Sequence, residues 1–337
     1  MAGRVVFVPG ASARVELLRD RCVAVLGYGS QGQAHALNLR DSGCRVLVAQ
    51  RADSPRFAAA VSAGFQPLEL AEAVKRADLL IFGLPDDAAP RVYDAAIGPH
   101  LRRGQTLGFL HGFVIHYGLI RPPPDVDVVM VAPKAQGRGV RDEFVAGRGV
   151  PVLLAVHQDA TGQARETALG WAAGIGAHRA GILETTFADE TETDLFGEQA
   201  VLCGGLTALI KAAFETLVEA GYPPELAYFE CCHEVKLLAD LIHAGGISYM
   251  RERVSSTARF GDVTRGPRVV GEEARRAMRE LLAEIRSGQF ARELLEDSRR
   301  GQSRTRQLVD RDRDHPLEQV GRRLRELIWG RPTHPQA

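Results

Sequence analysis

The sequence predicts an α/β protein: an N-terminal Rossmann-like parallel sheet domain followed by an all-helical C-terminal domain. Three observations carry that reading. Up to about residue 156, short apolar runs alternate with helical or loop segments, the pattern of a parallel sheet covered on both faces. The glycine-rich Gly27-Tyr-Gly-Ser-Gln-Gly32 directly follows one of those runs. From about Phe187 onward the periodicity is helical, and strand-like alternation does not return.

The candidate strands, in order, are Cys22–Leu26, Arg45–Ala49, Leu79–Leu84, Thr106–Leu110, Val126–Val131 and Val152–Val156. A ligand crevice in such a sheet lies outside the carboxyl ends of the strands. Gly27, Arg51, Pro85-Asp86, His111 and Pro133-Lys134, which follow successive runs, are therefore expected to converge. Helices are expected over Leu206–Ala220, Pro224–Ala244, Glu272–Ser287 and Pro316–Trp329. The 337 residues thus divide into a dinucleotide-binding domain at 1–185, a helical domain at 186–331 and a tail at 332–337.

Composition narrows the function. The 42 basic and 42 acidic residues cancel, and no basic block is interleaved with aromatics, so a nucleic-acid partner is not expected. Five cysteines, an odd number without a CxxC spacing, argue against a disulfide framework or a zinc site and fit a reducing compartment. No stretch has signal-peptide character or the roughly 18 apolar residues of a membrane span, so a cytoplasmic chain without a membrane partner is expected.

The glycine-rich stretch has the context of a dinucleotide site, between a strand and a helical stretch running to Asp41. Gly27 allows a tight turn, Gly29 lets the backbone approach a pyrophosphate, and Gly32 permits close packing. The amides of Tyr28, Ser30 and Gln31 lie in the same turn at a helix N-terminus. After the second strand, Arg51, Ser54 and Arg56 suit a 2′-phosphate, whereas Asp53 opposes one; the balance favours NADPH.

Between Arg179 and Lys211 stand Glu184, Asp189, Glu190, Glu192, Asp194 and Glu198, with no Lys, Arg or His among them. Positive charge from outside the sequence is expected. Asp194 and Glu198 are four apart, as are Glu230 and Glu234, so each pair would share a helix face. Like charges at this spacing destabilise a helix, which points to divalent cations held by carboxylate oxygens. His111 and Lys134 stand at strand ends beside them, although a histidine there also serves as a structural hydrogen-bonder and a lysine there also serves as a surface charge. Together these features suggest hydride transfer combined with metal-assisted chemistry on an oxygen-rich anion.

From about Asp20 to Trp329 the chain resembles ketol-acid reductoisomerase of the short-chain class. The resemblance is carried by Gly27–Gly32, His111-Gly-Phe, Ala132-Pro-Lys134, Glu184-Thr-Thr-Phe187, the stretch from Glu192 to Gly205, and Tyr228-Phe-Glu-Cys-Cys-His-Glu234. It implies alkyl migration in 2-acetolactate or 2-aceto-2-hydroxybutyrate, then reduction by NADPH to a 2,3-dihydroxy-3-alkyl acid, in valine, isoleucine and leucine synthesis. A paralogue with the same mechanism on another 2-hydroxy-3-keto acid is the alternative. The resemblance also implies two Mg²⁺ ions, with Asp194 bridging them, Glu198 as a further ligand of the first, and Glu230 and Glu234 around the second. Those last two acids would be reached from a partner subunit in a homodimer or higher homo-oligomer with shared sites.

By the same resemblance, Ser255 contacts substrate carboxylate, and His111 and Lys134 handle protons and orient water or substrate. Tyr28 to Gln31, Arg51, Ser54, Asp86, Asp87, Ala88, Ala89 and Gly137 attend the cofactor, and the helical domain is knotted, against the general rule for chains. The chain departs from the family pattern at Gln33, Asp53, Arg56, Val114 and Arg259, positions that bear on cofactor preference and on the substrate's side group.

Overall fold

The computed structural model describes residues 6–330, so the expected tail at 332–337 lies outside the described residues. The chain forms two compact units, Met1–Thr193 and Asp194–Ala337.

The first unit is built on an eight-stranded sheet: β1 (Val6–Val8), β2 (Cys22–Leu26), β3 (Arg45–Ala49), β4 (Leu79–Phe82), β5 (Thr106–Phe109), β6 (Asp127–Pro133), β7 (Val152–Gln158) and β8 (Ile182–Glu184). Their order across the sheet is β1-β8-β7-β6-β5-β4-β2-β3. Strands β3, β2, β4, β5 and β6 run parallel. Every residue of β2 and β4 is buried, as runs covered on both faces must be.

The expected all-parallel arrangement fails at β7, which lies antiparallel to β6 with Pro133 opposite Val152. The reason is local. After β6 the chain turns through a helix at Gly137–Val145 that packs on the helix after β2, and the Lys134 N–H donates to Pro151 O at 2.9 Å. The chain therefore returns at the end of the sheet it had just left, without the crossover a parallel neighbour requires. Strand β8 is parallel to β7, and β1 closes the far edge antiparallel to β8.

The helices of this unit are α1 (Ser30–Asp41), α2 (Pro55–Ser62), α3 (Leu70–Arg76), α4 (Ala89–Val92), α5 (Phe113–His116), α6 (Gly137–Val145), α7 (Ala164–Gly174) and α8 (Phe187–Gly197), whose last residues open the second unit. The core gathers Val23, Val25, Leu79, Ile81, Val129, Val131 and Trp171. Truncating a buried Trp such as Trp171 costs about 3–5 kcal/mol. Its indole Nε1–H donates to His35 Nδ1 at 2.9 Å, and His35 is wholly buried. Burial pushes the His35 pKa down to about 3, so the ring is neutral, as an accepting Nδ1 requires.

The second unit is helical: α9 (Gly204–Glu219), α10 (Pro224–Tyr228), α11 (Val235–Arg253), α12 (Ser256–Val269), α13 (Glu272–Arg286), α14 (Gln289–Arg299), α15 (Ser303–Arg313) and α16 (Pro316–Trp329). Phe214, Ala227, Tyr228, Leu317 and Leu324 form its buried centre. Many large apolar side chains stay exposed, among them Val201, Leu202, Leu209, Ile247, Phe260 and Val263. The expectation that no membrane-length apolar stretch exists needs correction. The helical stretch Phe187–Glu219 contains an 18-residue window of mean hydropathy 1.6, with 6% of it buried, and passes that test by length and composition alone.

Candidate functional site

A cleft of about 790 Å³ opens in the first unit over the carboxyl ends of β2, β3, β4 and β5. Its floor is the turn Gly27 to Gly32. A methyl on Gly32 would lie 2.2 Å from Gly27 O, so only glycine lets α1 start this close to the strand end. The Tyr28 N–H donates to Gln50 Oε1 at 2.8 Å and Gln31 Nε2 donates to Ala135 O at 2.9 Å, which fixes the turn from two sides. Arg51, Ser54 and Arg56 line the cleft at the β3 end; Asp86, Ala88 and Ala89 line it after β4. Ser54 caps α2, its Oγ accepting from the Arg56 N–H at 3.2 Å, and Arg51 Nε stands 3.6 Å from Asp53 Oδ1. Asp87 and Gly137 do not line the cleft; Gly137 packs behind the turn against Ser30.

At the opposite end the cleft is bounded by Phe109, Leu110, His111 and Val114. Here the structure adds a residue that had no assigned role among the acids of its stretch. Glu190 on α8 is 1% exposed, and His111 and Lys134 meet on it. His111 Nδ1 lies 2.9 Å from Glu190 Oε2, Lys134 Nζ lies 3.1 Å from Oε1, and the Gly112 N–H donates to Oε2 at 3.0 Å. Burial opposes ionisation of Glu190. The hydrogen bond and charge of His111, the charge of Lys134 and the Gly112 N–H outweigh it and hold the carboxyl below the usual glutamate range. With Nδ1–H given to Glu190, a neutral His111 has its basic lone pair on Nε2.

Gly112 is required by the same contacts. A methyl there would stand 2.4 Å from Thr191 Oγ1 and 2.8 Å from Phe187 O. A second contact joins α5 to α8, with His116 Nε2 3.7 Å from Glu192 Oε1. Burial lowers the His116 pKa against the pull of Glu192. Farther back, Arg165 Nε donates to Glu184 Oε1 at 2.7 Å. The acidic stretch is thus partly neutralised by Lys134 and Arg165 of the first unit, with His111 in hydrogen-bond contact beside Lys134. The expectation that all of its compensating charge comes from outside the sequence is corrected to that extent.

Asp194, Glu198, Glu230 and Glu234 belong to the second unit. Asp194 is half-buried one helical turn after Glu190, while Glu198, Glu230 and Glu234 are exposed. Glu198 opens a π-helical turn over Glu198–Leu202, closed by the Cys203 N–H donating to Glu198 O at 2.9 Å. Glu230 lies in another, Phe229–His233, closed by the Glu234 N–H on Phe229 O at 3.1 Å. The expected regular helix face is therefore modified, since π-turns change side-chain direction and concentrate at functional sites. Within this unit, among the described residues, no three His, Cys, Asp or Glu donor atoms cluster. Ser255 caps α12, its Oγ accepting from the Ala258 N–H at 3.1 Å.

Neither Glu190 nor Gln50 was legible as a site residue. The one signal for Glu190 was its place a turn before Asp194, and Gln50 had only its position at a strand end.

Comparison with known proteins agrees with this architecture. Residues 17–181 match the model of the acetohydroxy acid isomeroreductase NADPH-binding domain, and residues 187–329 match that of the ketol-acid reductoisomerase C-terminal domain. The chain is 42% identical to an NADH-preferring ketol-acid reductoisomerase from an uncultured archaeon, with a TM-score of 0.93, over 96% of this chain and 99% of that one. More distant likenesses concern the fold alone. A semialdehyde dehydrogenase NAD-binding protein from Cupriavidus necator is 19% identical, with a TM-score of 0.60 over 79% of this chain and 99% of that one. A pyrroline-5-carboxylate reductase from Coxiella burnetii is 13% identical, with a TM-score of 0.51 over 79% and 98%.

Proposed function

The chain belongs to the ketol-acid reductoisomerase family, an oxidoreductase family of branched-chain amino acid biosynthesis, and we propose that it converts 2-acetolactate and 2-aceto-2-hydroxybutyrate with NADPH and two Mg²⁺ ions. The observation that carries the reading is Glu190 holding both His111 and Lys134 at the β5 end of a dinucleotide cleft.

The cofactor would lie across the cleft, its pyrophosphate on the amides of the Gly27–Gly32 turn and its adenosine end toward Arg51, Ser54 and Arg56. Its nicotinamide end would then lie toward His111, which lines the same cleft. Arg51 and Arg56 support NADPH. Asp53, in contact with Arg51, and the NADH preference of the archaeal relative weigh the other way.

The donor set suits hard divalent cations. Asp194, Glu198, Glu230 and Glu234 offer only carboxylate oxygens, which Mg²⁺ prefers. When bound, the nicotinamide supplies a hydride and the cations polarise a carbonyl and stabilise an alkoxide. The chain's own part is proton handling and positioning. His111, oriented through Nδ1, can take or return a proton at Nε2. Lys134, anchored by Glu190, presents an ammonium to an anionic oxygen, and the buried Glu190 carboxylate keeps both side chains in register.

The exposed acids and the exposed apolar side chains Val201, Leu202 and Leu209 support a homodimer in which a second copy covers this surface and completes the site. The sparse burial of the apolar window within Phe187–Glu219 fits the same reading.

The test is oxidation of NADPH or NADH by the purified protein with each ketol acid. The expected result is NADPH oxidation that stops on chelation and returns with Mg²⁺. Full activity after exhaustive chelation would sink the metal role, and faster turnover with NADH would overturn the cofactor choice.

A further inference from the structure

Two stretches of different character line the cleft where the adenosine of a dinucleotide would lie. The wall from the turn after β3 is polar, with Arg51, Ser54 and Arg56. The wall from the segment after β4 is apolar where it lines the cleft, through Leu84, Pro85, Ala88, Ala89 and Val92, except for Asp86 and Arg91. Arg91 stands on α4 and is exposed.

A 2′-phosphate needs several donors converging on one anion, and the polar wall supplies them. The wall across from it has little to offer a phosphate and much to offer the flat face of a base. A guanidinium set in an apolar surface is planar and weakly hydrated, and it stacks on aromatic faces. We propose that Arg91 holds the adenine ring of either dinucleotide by stacking. It supplies affinity common to NADH and NADPH, while Arg51 and Arg56 read the 2′-substituent. The inference rests on the dinucleotide reading of the cleft and adds a residue to it.

The test is a set of binding titrations followed by nicotinamide fluorescence, on the full-length protein and on Arg91→Ala and Arg91→Lys, with 5′-AMP as competitor. Arg91→Ala is expected to raise Kd for NADPH, NADH and 5′-AMP by the same factor, about five- to tenfold. Arg91→Lys, which keeps the charge but not the plane, recovers little of that loss. A loss confined to NADPH would move Arg91 onto the phosphate and overturn the proposal. So would unchanged affinity for both cofactors, or full rescue by lysine. Failure of the unmodified protein to bind either dinucleotide is a separate outcome, and it would sink the cleft reading on which the proposal stands. Because Arg91 is exposed, an unchanged thermal midpoint identifies folded variants.

Discussion

Replacing Gly112 with alanine is expected to disable the site without unfolding the domain. The new methyl would meet Thr191 Oγ1 at 2.4 Å, Phe187 O at 2.8 Å and Glu190 Oε2 at 3.3 Å, where ordinary contact begins near 3.4 Å. Phe187 O is backbone and cannot rotate aside, so α8 must recede by about 0.6 Å, the difference between 3.4 and 2.8 Å. The Gly112 N–H to Glu190 bond, now 3.0 Å, then lengthens to about 3.6 Å and ceases to be a hydrogen bond. Overpacking of this kind costs about 1–3 kcal/mol of stability. Displacing Glu190 by more than half an ångström moves the group that fixes His111 and Lys134, for which about a 10- to 100-fold fall in kcat is expected. The assay is ketol-acid-dependent NADPH oxidation, with cofactor Kd and thermal midpoint measured alongside. A folded variant whose kcat stays within about twofold of the unmodified enzyme would refute the reasoning.

Other perturbations separate the parts of the account. Replacing Arg51 and Arg56 with alanine should raise KM for NADPH by about tenfold or more while leaving KM for NADH nearly unchanged; equal effects would remove phosphate recognition from that wall. Asp194→Asn should abolish isomerisation with cofactor Kd held within about twofold, and retained isomerisation would contradict a metal role for that acid. His35 has a folded pKa of about 3 against an ordinary 6.5, so the unfolded chain takes up its proton first. Its contribution is complete above pH 6.5 and is lost as pH falls toward 3, at about 1.4 kcal/mol per pH unit. Denaturant titrations of His35→Gln between pH 7 and 4 should show a shallower pH slope than the unmodified protein, and parallel slopes would contradict this.

Much of the sheet was legible because a strand covered on both faces must be apolar throughout, and Cys22–Leu26 is buried at every position. The direction of β7 was not, since an antiparallel strand at that place needs the same apolar run as a parallel one. Strands β1 and β8, three residues each, are too short for their alternation to stand out. The glycine turn and the arginines after β3 could be read because their chemistry is local. Glu190 could not. It lies among six acids, and what sets it apart is burial against His111 and Lys134, 79 and 56 residues away in the chain. The π-turns at Glu198 and Glu230 were hidden for a related reason: the sequence fixes which residues are acidic there, while one extra residue per turn leaves no compositional mark.

The most direct test of the central claim, that Glu190 organises His111 and Lys134 for the rearrangement, is Glu190→Gln assayed on two substrates. One is 2-acetolactate, which must rearrange before it is reduced; the other is the 3-hydroxy-2-keto acid that rearrangement would produce, which needs only reduction. Turnover of 2-acetolactate is predicted to fall by about 100-fold or more, while direct reduction falls by less than about tenfold. Equal losses on both substrates, or none on either, would contradict the account.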